Sequence, residues 1–219
     1  MKSKVRSSRN AAPLAAKLLA AGLAVALAAP APAAAQGSAE KVMKKLADMN
    51  IDFMGMVVDI PDRQNLGVRQ VASGADRNRG ADPTRGGTVV YLWDERPTPD
   101  DKSAPEHLLT IHHLQAAGIP AGPGREIDFQ EGMAGANRYR MGGAITNIDI
   151  RGSDRYEVRV TVDWKLYDTK SSKVIWEGSS SDMARGAVLG ERGEQPNVLM
   201  DATIGALDKV LDKEVKKAL

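Results

Sequence analysis

The sequence predicts an α+β domain in which an antiparallel or mixed sheet is packed by helices. From Tyr156 to Leu166, apolar side chains alternate strictly with polar ones, which is typical of a strand with one buried face. From Met200 to Val215, apolar residues recur every three or four positions, as in an amphipathic helix. A sheet with one apolar face and a helix with one apolar stripe can bury each other, so we place both in one core.

The first elements of this domain are predicted to be a helix and a strand. Residues 38–49 carry apolar side chains at helical spacing. Residues 51–60 are apolar at both alternating sets of positions, which indicates a strand covered on both faces. Residues 72–87 have no apolar period and are rich in Gly, Ala, Asp and Arg, so they predict a mobile loop. Thr88–Trp93 predicts a second strand.

A second helix is predicted from a capping-box pair, Ser103 and Glu106. Its buried side would consist of the apolar residues between positions 108 and 114. Gly118 would end it, because glycine is common after the last turn of a helix.

Three consecutive strands, at about residues 138–178, are predicted to form a meander. Within Tyr139–Ile150 the apolar set changes from odd to even positions, which predicts a β-bulge near Thr146 and Asn147. Turns at residues 151–155 and 168–173 would connect the strands. A long C-terminal helix beginning near Pro196 or Asn197 would then pack on the sheet, with Met200, Ile204, Leu207, Leu211 and Val215 as its buried stripe.

Residues 1–35 are predicted to be a cleaved secretory signal peptide, leaving residues 36–219 as a single domain. Basic residues up to Lys17 precede an apolar run at 18–29, and Ala33–Ala35 supplies the small residues of a cleavage site. The apolar run is shorter than the ~20 residues that a membrane span needs. The sequence contains no cysteine and therefore has no lipobox cysteine. We therefore expect a periplasmic or secreted protein whose mature chain has no transmembrane span.

Charge and cysteine content narrow the function classes. The chain has 30 Lys+Arg and 28 Asp+Glu, for a formal charge of +2. Without the basic residues of the leader the remainder is slightly acidic, whereas a nucleic-acid binder needs a concentrated basic surface. We therefore expect no nucleic-acid partner. The absence of cysteine excludes disulfides, thiolate zinc sites and cysteine nucleophiles.

The motifs give no positive sign of catalysis. His107, His112 and His113 are not spaced three or four apart, as two ligands on one helix face would be, so we expect no metal site. No Gly-x-Ser-x-Gly elbow and no phosphate loop occur, so we predict no catalytic residue and no cofactor. A hydrolase with a dispersed active site stays open, because triad residues need not be close in sequence.

Four residues are candidates for contact with a partner or ligand. Trp164 and Trp176 lie on neighbouring predicted strands, where they either pack in the core or form a ligand-stacking platform. Arg185 and Arg192 lie in the stretch before the last helix, which is either a plain loop or a partner-contact loop.

Two segments flanking the alternating strand carry a family resemblance. Tyr139–Asn147 and Tyr167–Gly178 resemble the corresponding motif of the curli-secretion CsgG-like proteins of the bacterial envelope, and LpoB and the N-terminal domain of TolB have a similar architecture. The resemblance covers residues 106–219 and implies a sheet with helices on one side and an adaptor role. The chain departs from it at residues 60–103, in lacking a lipobox cysteine, and in lacking the long strand pair of a CsgG pore.

Together these observations favour a non-catalytic periplasmic binding or adaptor protein of the cell envelope, acting in assembly, secretion or regulation. Its partner would be an envelope protein or an outer-membrane component. The alternatives are a periplasmic hydrolase with a dispersed active site and a small-ligand carrier that uses the region of Trp164 and Trp176. The sequence does not specify the oligomeric state.

Export is directly testable. Mass spectrometry of the periplasmic fraction should find a mature N-terminus at, or within a few residues of, Gln36, because the small residues before it suit signal peptidase. Recovery of the intact chain from the cytosol would contradict the prediction.

Overall fold

The computed structural model describes residues 33–71, 87–95, 108–122, 124–130, 137–152, 156–186 and 198–219. Helix α1 (Ala33–Asp48) comes first and is followed by strands β1 (Ile51–Val58), β2 (Asn65–Val71), β3 (Gly87–Trp93) and β4 (Leu108–Leu109). Helix α2 (Ile111–Ala116) precedes strands β5 (Tyr139–Gly152), β6 (Tyr156–Asp168) and β7 (Lys173–Gly186). The chain ends with helix α3 (Val198–Val210), a π-helical turn (Leu211–Val215) and a short helical turn, α4 (Lys216–Ala218).

The strands form one mixed seven-stranded sheet in the order β4-β3-β2-β5-β6-β7, with β1 also paired to β5. Strands β1 and β2 both pair with the same side of the long strand β5. Its first half pairs parallel with β1, and its end pairs parallel with β2. β5, β6 and β7 pair antiparallel in chain order. The predicted α+β class is confirmed.

The sheet has a helix face and an open face, and β6 defines both. Val158, Val160, Val162, Trp164 and Leu166 are buried on the helix face. The intervening residues of β6, from 157 to 165, point to the open face, where they are exposed or half-buried. Because side chains of a strand alternate between faces, this pattern requires a cover on one side of the sheet. Helix α3 supplies it by packing on β6 and β7, and α1 packs on α3 and β1.

A chain of hydrogen bonds joins α3 to the strands beneath it. The Trp164 indole Nε1–H donates to Ser180 Oγ at 2.9 Å, and the Ser180 hydroxyl donates to the Ala206 carbonyl at 2.7 Å. Small buried residues of α3, Ala202 and Ala206, let its backbone approach the sheet. The predicted apolar stripe is partly wrong, because Met200 and Ile204 are only half-buried and the most buried side of the helix includes these alanines instead. Pro196 and Asn197 lie outside the described residues.

Two sequence predictions have opposite outcomes. The register between β5 and β6 shifts between Ile145 and Asn147, which confirms the predicted bulge. The helix predicted to include Leu108 and Leu109 is wrong at its start. These two residues are extended and pair with β3, where their side chains are buried, and the helix begins at Ile111. The predicted capping pair and residues 72–86 of the predicted loop at 72–87 lie outside the described residues, and Gly87 is the first residue of β3.

Strand β2, which the sequence pattern did not reveal, depends on one glycine. Gly67 has φ +132, and a Cβ at this position would collide with the backbone oxygen of Ile150 on β5. Only glycine adopts such a backbone without strain and permits this close approach.

Regarding membrane insertion, none of the described helices has both the length and the apolar character needed to cross a bilayer.

Burial of the β6 helix face predicts the effect of a charge there. Val160→Asp should lower the free energy of unfolding by ~3 kcal/mol or more, because an unpaired carboxylate would be buried under α3. Thr161→Asp, one residue along and on the open face, is the matched control and should change stability little. Urea denaturation of both variants measures the difference, and equal midpoints would show that the faces are assigned wrongly.

Candidate functional site

The open face of the sheet presents a row of aligned side chains across five strands. Val90, Val68, Arg151, Glu157 and Arg185 are successive register partners on β3, β2, β5, β6 and β7. Register partners in a sheet point to the same face. The row therefore brings together residues that are far apart in the sequence.

Around this row lies what we call the arginine–apolar patch. Val68 and Val90 form an exposed cross-strand pair, 42% and 38% accessible, and Met183 is 37% accessible. Arginine and methionine are enriched at protein interfaces, whereas lysine is depleted. The patch thus has the composition of a binding surface rather than of an ordinary solvated face. Its members are Val68, Val90, Arg151, Arg159, Met183 and Arg185.

Neighbouring carboxylates hold two of these arginines in place. Arg151 Nη2 lies 2.7 Å from Asp149 Oδ2, and Arg185 Nη2 lies 3.0 Å from Glu157 Oε2. Asp149 raises the pKa of the Arg151 guanidinium above its usual value through a hydrogen bond and its charge. Arg159 contacts the Met183 sulfur at 3.9 Å. The charged groups are exposed, so these contacts orient side chains more than they stabilise the fold.

The patch lies at the end of the sheet from which several connections depart. Val71 of β2 pairs with Gly87 of β3 at this end, and Tyr156 of β6 pairs with both Gly152 and Gly186. Loops at the end of a rigid sheet are common binding elements. Strands β2, β5 and β7 therefore all end beside the patch.

The four residues singled out in the sequence have different locations. Trp164 is 1% exposed and bonded to Ser180, so its ring belongs to the core. Trp176 is half-buried on the helix face, with its ring across Gly178. The ring of Trp164 is therefore enclosed, whereas that of Trp176 is partly accessible. Arg185 is exposed and belongs to the arginine–apolar patch. Arg192 lies outside the described residues.

A half-open cleft of about 320 Å³ lies on the other side of the sheet, between α1 and α3. Three aspartates line the cleft, and two of them form ion pairs with lysines. Lys45 Nζ lies 2.6 Å from Asp208, and Lys209 Nζ lies 2.7 Å from Asp182. Burial raises the pKa of the third, Asp201. The lining residues are Ser38, Lys41, Val42, Asp182, Asp201, Ile204, Gly205 and Asp208.

Lys45 links the first helix to the end of the last one through two ion pairs. It reaches Asp208 and Asp212 at 2.6 Å each. Asp208, followed by Asp212, raises the pKa of Lys45, and Lys45 lowers the pKa of Asp212. Sequence reasoning missed this cleft, although a signal was present. Lys41 and Lys45 are one helical turn apart, as are Asp208 and Asp212, so each pair lies along one side of its helix. We interpret the cleft as a helix–helix contact.

The histidines of α2 have a structural explanation. His113 Nδ1 accepts a hydrogen bond at 3.0 Å from the backbone N–H of Thr110, the residue that caps α2. Thr110 Oγ1 is also 3.0 Å from this nitrogen, but Thr110 is 1% exposed, so this hydroxyl–imidazole pair is closed to a substrate. His112 is exposed. His107 lies outside the described residues, within which no three metal-ligating side chains cluster.

Comparisons with known proteins give structural similarity alone. No family model matches the chain, and no curated protein matches it significantly. Similar solved structures include a DUF330-family protein from Xanthomonas campestris, with 10% identity and TM-score 0.29 over 77% of this chain and 83% of that one. Lipoprotein GNA1162 from Neisseria meningitidis has 14% identity and TM-score 0.22 over 74% and 99%. The C-terminal domain of LpoB from Salmonella enterica has 12% identity and TM-score 0.16 over 64% and 90%.

The cap at Thr110 predicts a pH dependence of stability. Burial, and then the charge of His112, lower the pKa of His113 from its usual 6.5. The neutral ring is the form that accepts the Thr110 bond, so its contribution is complete above pH 6.5 and is lost as the pH falls through the lowered pKa. His113→Gln, which keeps an acceptor at a capping-box position, should flatten this part of the profile.

The measurement is the free energy of unfolding between pH 7.5 and pH 5 for the parent, His113→Gln and a His112→Gln control. The control should retain most of the parent's slope. Identical slopes for the parent and His113→Gln would contradict the assignment.

Proposed function

We propose that this protein is an exported, non-catalytic binding or adaptor protein of the bacterial envelope, and that it contacts an envelope protein through the arginine–apolar patch. The observation that carries the proposal is the composition and exposure of this patch. It combines arginines oriented by carboxylates with exposed apolar side chains on adjacent strands.

The rigidity of the surface supports a binding role. The arginines and the methionine on β6 and β7 lie on long paired strands whose opposite face is packed by α3, so these side chains are presented with little loss of backbone freedom on binding. An interface core of apolar residues with arginines around it suits a protein partner.

The predicted signal peptide and the resemblance of residues 106–219 to envelope proteins favour a partner in the periplasm or at the outer membrane. The hydrolase and carrier alternatives receive no comparable support from the described residues, where the Thr110 hydroxyl is buried and the ring of Trp164 is enclosed in the core.

Site-specific photo-crosslinking in cells tests the proposal. A photoreactive phenylalanine analogue replaces Val68 or Val90 in the patch, and Met43 serves as the control because it is equally exposed, at 38%, on α1. Irradiation should link the same envelope protein to positions 68 and 90 and not to position 43. Mass spectrometry identifies the adduct.

A second variant tests the arginines. Arg159→Ala should weaken binding of the identified partner about tenfold, since truncation of an interface arginine commonly costs ~1–2 kcal/mol. Adducts at Met43 equal to those at Val68, or unchanged binding by Arg159→Ala, would place the interface elsewhere.

A further inference from the structure

Strand β7 is the long edge of the sheet. It is the last strand in the order, and no described strand pairs with its outer side. Proteins usually blunt such an edge with proline, with a very short strand or with a cover, because unpaired N–H and C=O groups bind other strands. The opposite edge, β4, has 2 residues, whereas β7 has 14 and contains no proline.

A bulge limits the regular part of this edge. The register between β6 and β7 shifts at Ile175, because Leu166 pairs with Trp176 while Tyr167 pairs with Val174. From Trp176 to Gly186 the pairing is continuous. Ser181 is the midpoint of this regular segment.

We propose that β7 pairs antiparallel with β7 of a second copy of this chain, about a twofold axis through Ser181, so that the two sheets become continuous. Such an axis is perpendicular to the sheet and keeps the open face of both copies on the same side. It pairs residues equally distant from Ser181.

Charge complementarity on the open face selects this pairing. Glu177 of each copy lies opposite Arg185 of the other, and the twofold axis produces this contact twice. Within one copy the signs already alternate, since Arg185 is 3.0 Å from Glu157 and Glu177 is 3.7 Å from Lys165. The alternation of positive and negative residues therefore continues across the junction, which is the favourable arrangement for cross-strand pairs.

Neighbouring registers lack this match. An axis through Ser179 places Glu177 opposite Ser181 and leaves Arg185 beyond the regular segment of the other copy. An axis through Ser180 places Glu177 opposite Met183. The Ser181 register alone among these three pairs opposite charges and uses the whole regular segment.

The other residues of the edge are compatible with a second strand. Met183, which is 37% exposed, lies opposite Ser179 on the open face. On the helix face, Trp176 lies opposite Gly186, where no side chain blocks it. Lys209 Nζ donates to the Ser181 carbonyl at 2.7 Å. A carbonyl oxygen has two lone pairs, so this bond is compatible with an interstrand bond at the same residue.

This inference goes beyond the proposed function, and its test needs no other protein. The chain has no cysteine, so a single introduced cysteine reports one position. In Ser181→Cys each cysteine faces its twin across the axis, within the Cα separation that a disulfide spans. In the control Ser179→Cys, the two introduced cysteines are offset by four residues along the paired strands, about 14 Å. This distance is too long for a disulfide.

Mild oxidation of the purified protein should convert Ser181→Cys to a covalent dimer and leave Ser179→Cys monomeric on a non-reducing gel. Equal crosslinking of the two variants, or none by Ser181→Cys, would overturn the proposal.

Light scattering of the cysteine-free protein gives an independent measurement. The parent should have the mass of a dimer. Glu177→Arg, which creates two like-charge contacts, should raise the dimer dissociation constant about tenfold or more. Asp163→Arg makes the same charge change on β6, away from the edge, and should leave the constant unchanged. Equal constants for the two variants, at matched thermal stability, would also overturn the proposal.

Discussion

The structure depends on the burial of one face of β6. This strand is paired along its whole length with β5 on one side and β7 on the other, and its apolar side chains are almost completely inaccessible on the helix face. Removing that apolar area from water requires a cover, and α3 supplies it. The hydrogen-bonded chain from Trp164 through Ser180 to Ala206 then fixes how α3 lies on the two strands. The helices cover one face of the sheet. On the other face, Phe129 stacks on Tyr167 and covers the end of β6, so the exposed part of that face lies toward the arginine–apolar patch.

The ends of the described chain are held together on this covered side. Lys45 of α1 contacts two aspartates near the end of the chain, so the first helix is linked to the last one. The link is partly exposed and sensitive to salt, which limits its energetic weight. The ion pairs mainly orient α1 beside α3, where Val42 and Leu46 are part of the core.

The open face and the edge strand have complementary roles in the proposals. Cross-strand ion pairs orient side chains on the open face, and the arginine–apolar patch occupies the end of the sheet at which β2, β5 and β7 end. The β7 edge lies beside this patch, so pairing of two copies would place two patches on one continuous surface. A partner with two binding sites, or two partners, could then gain affinity from simultaneous binding.

Local sequence patterns predicted the helices and strands that depend mainly on residues close together in the sequence. The alternation in β6, the change of apolar parity that marks the bulge at Ile145–Asn147, and the periodicity of the C-terminal helix are visible in short windows of sequence. Each reflects a period imposed by one element on its own side chains. These patterns predicted the α+β class and the core strand, and they singled out Arg185, which the structure places on the exposed face of β7.

Long-range pairing decided the remainder. Leu108 and Leu109 have a helical pattern but become a strand because β3 offers them backbone partners and a buried environment. Trp164 could have been a ligand platform, and only the position of α3 over Ser180 encloses it.

The arginine–apolar patch combines β2, β3, β5, β6 and β7, and no window of the sequence contains it. By itself, the sequence determined the period and the burial preference of each segment. The tertiary structure decided which segments became neighbours, because register and strand order depend on contacts between residues far apart in the chain.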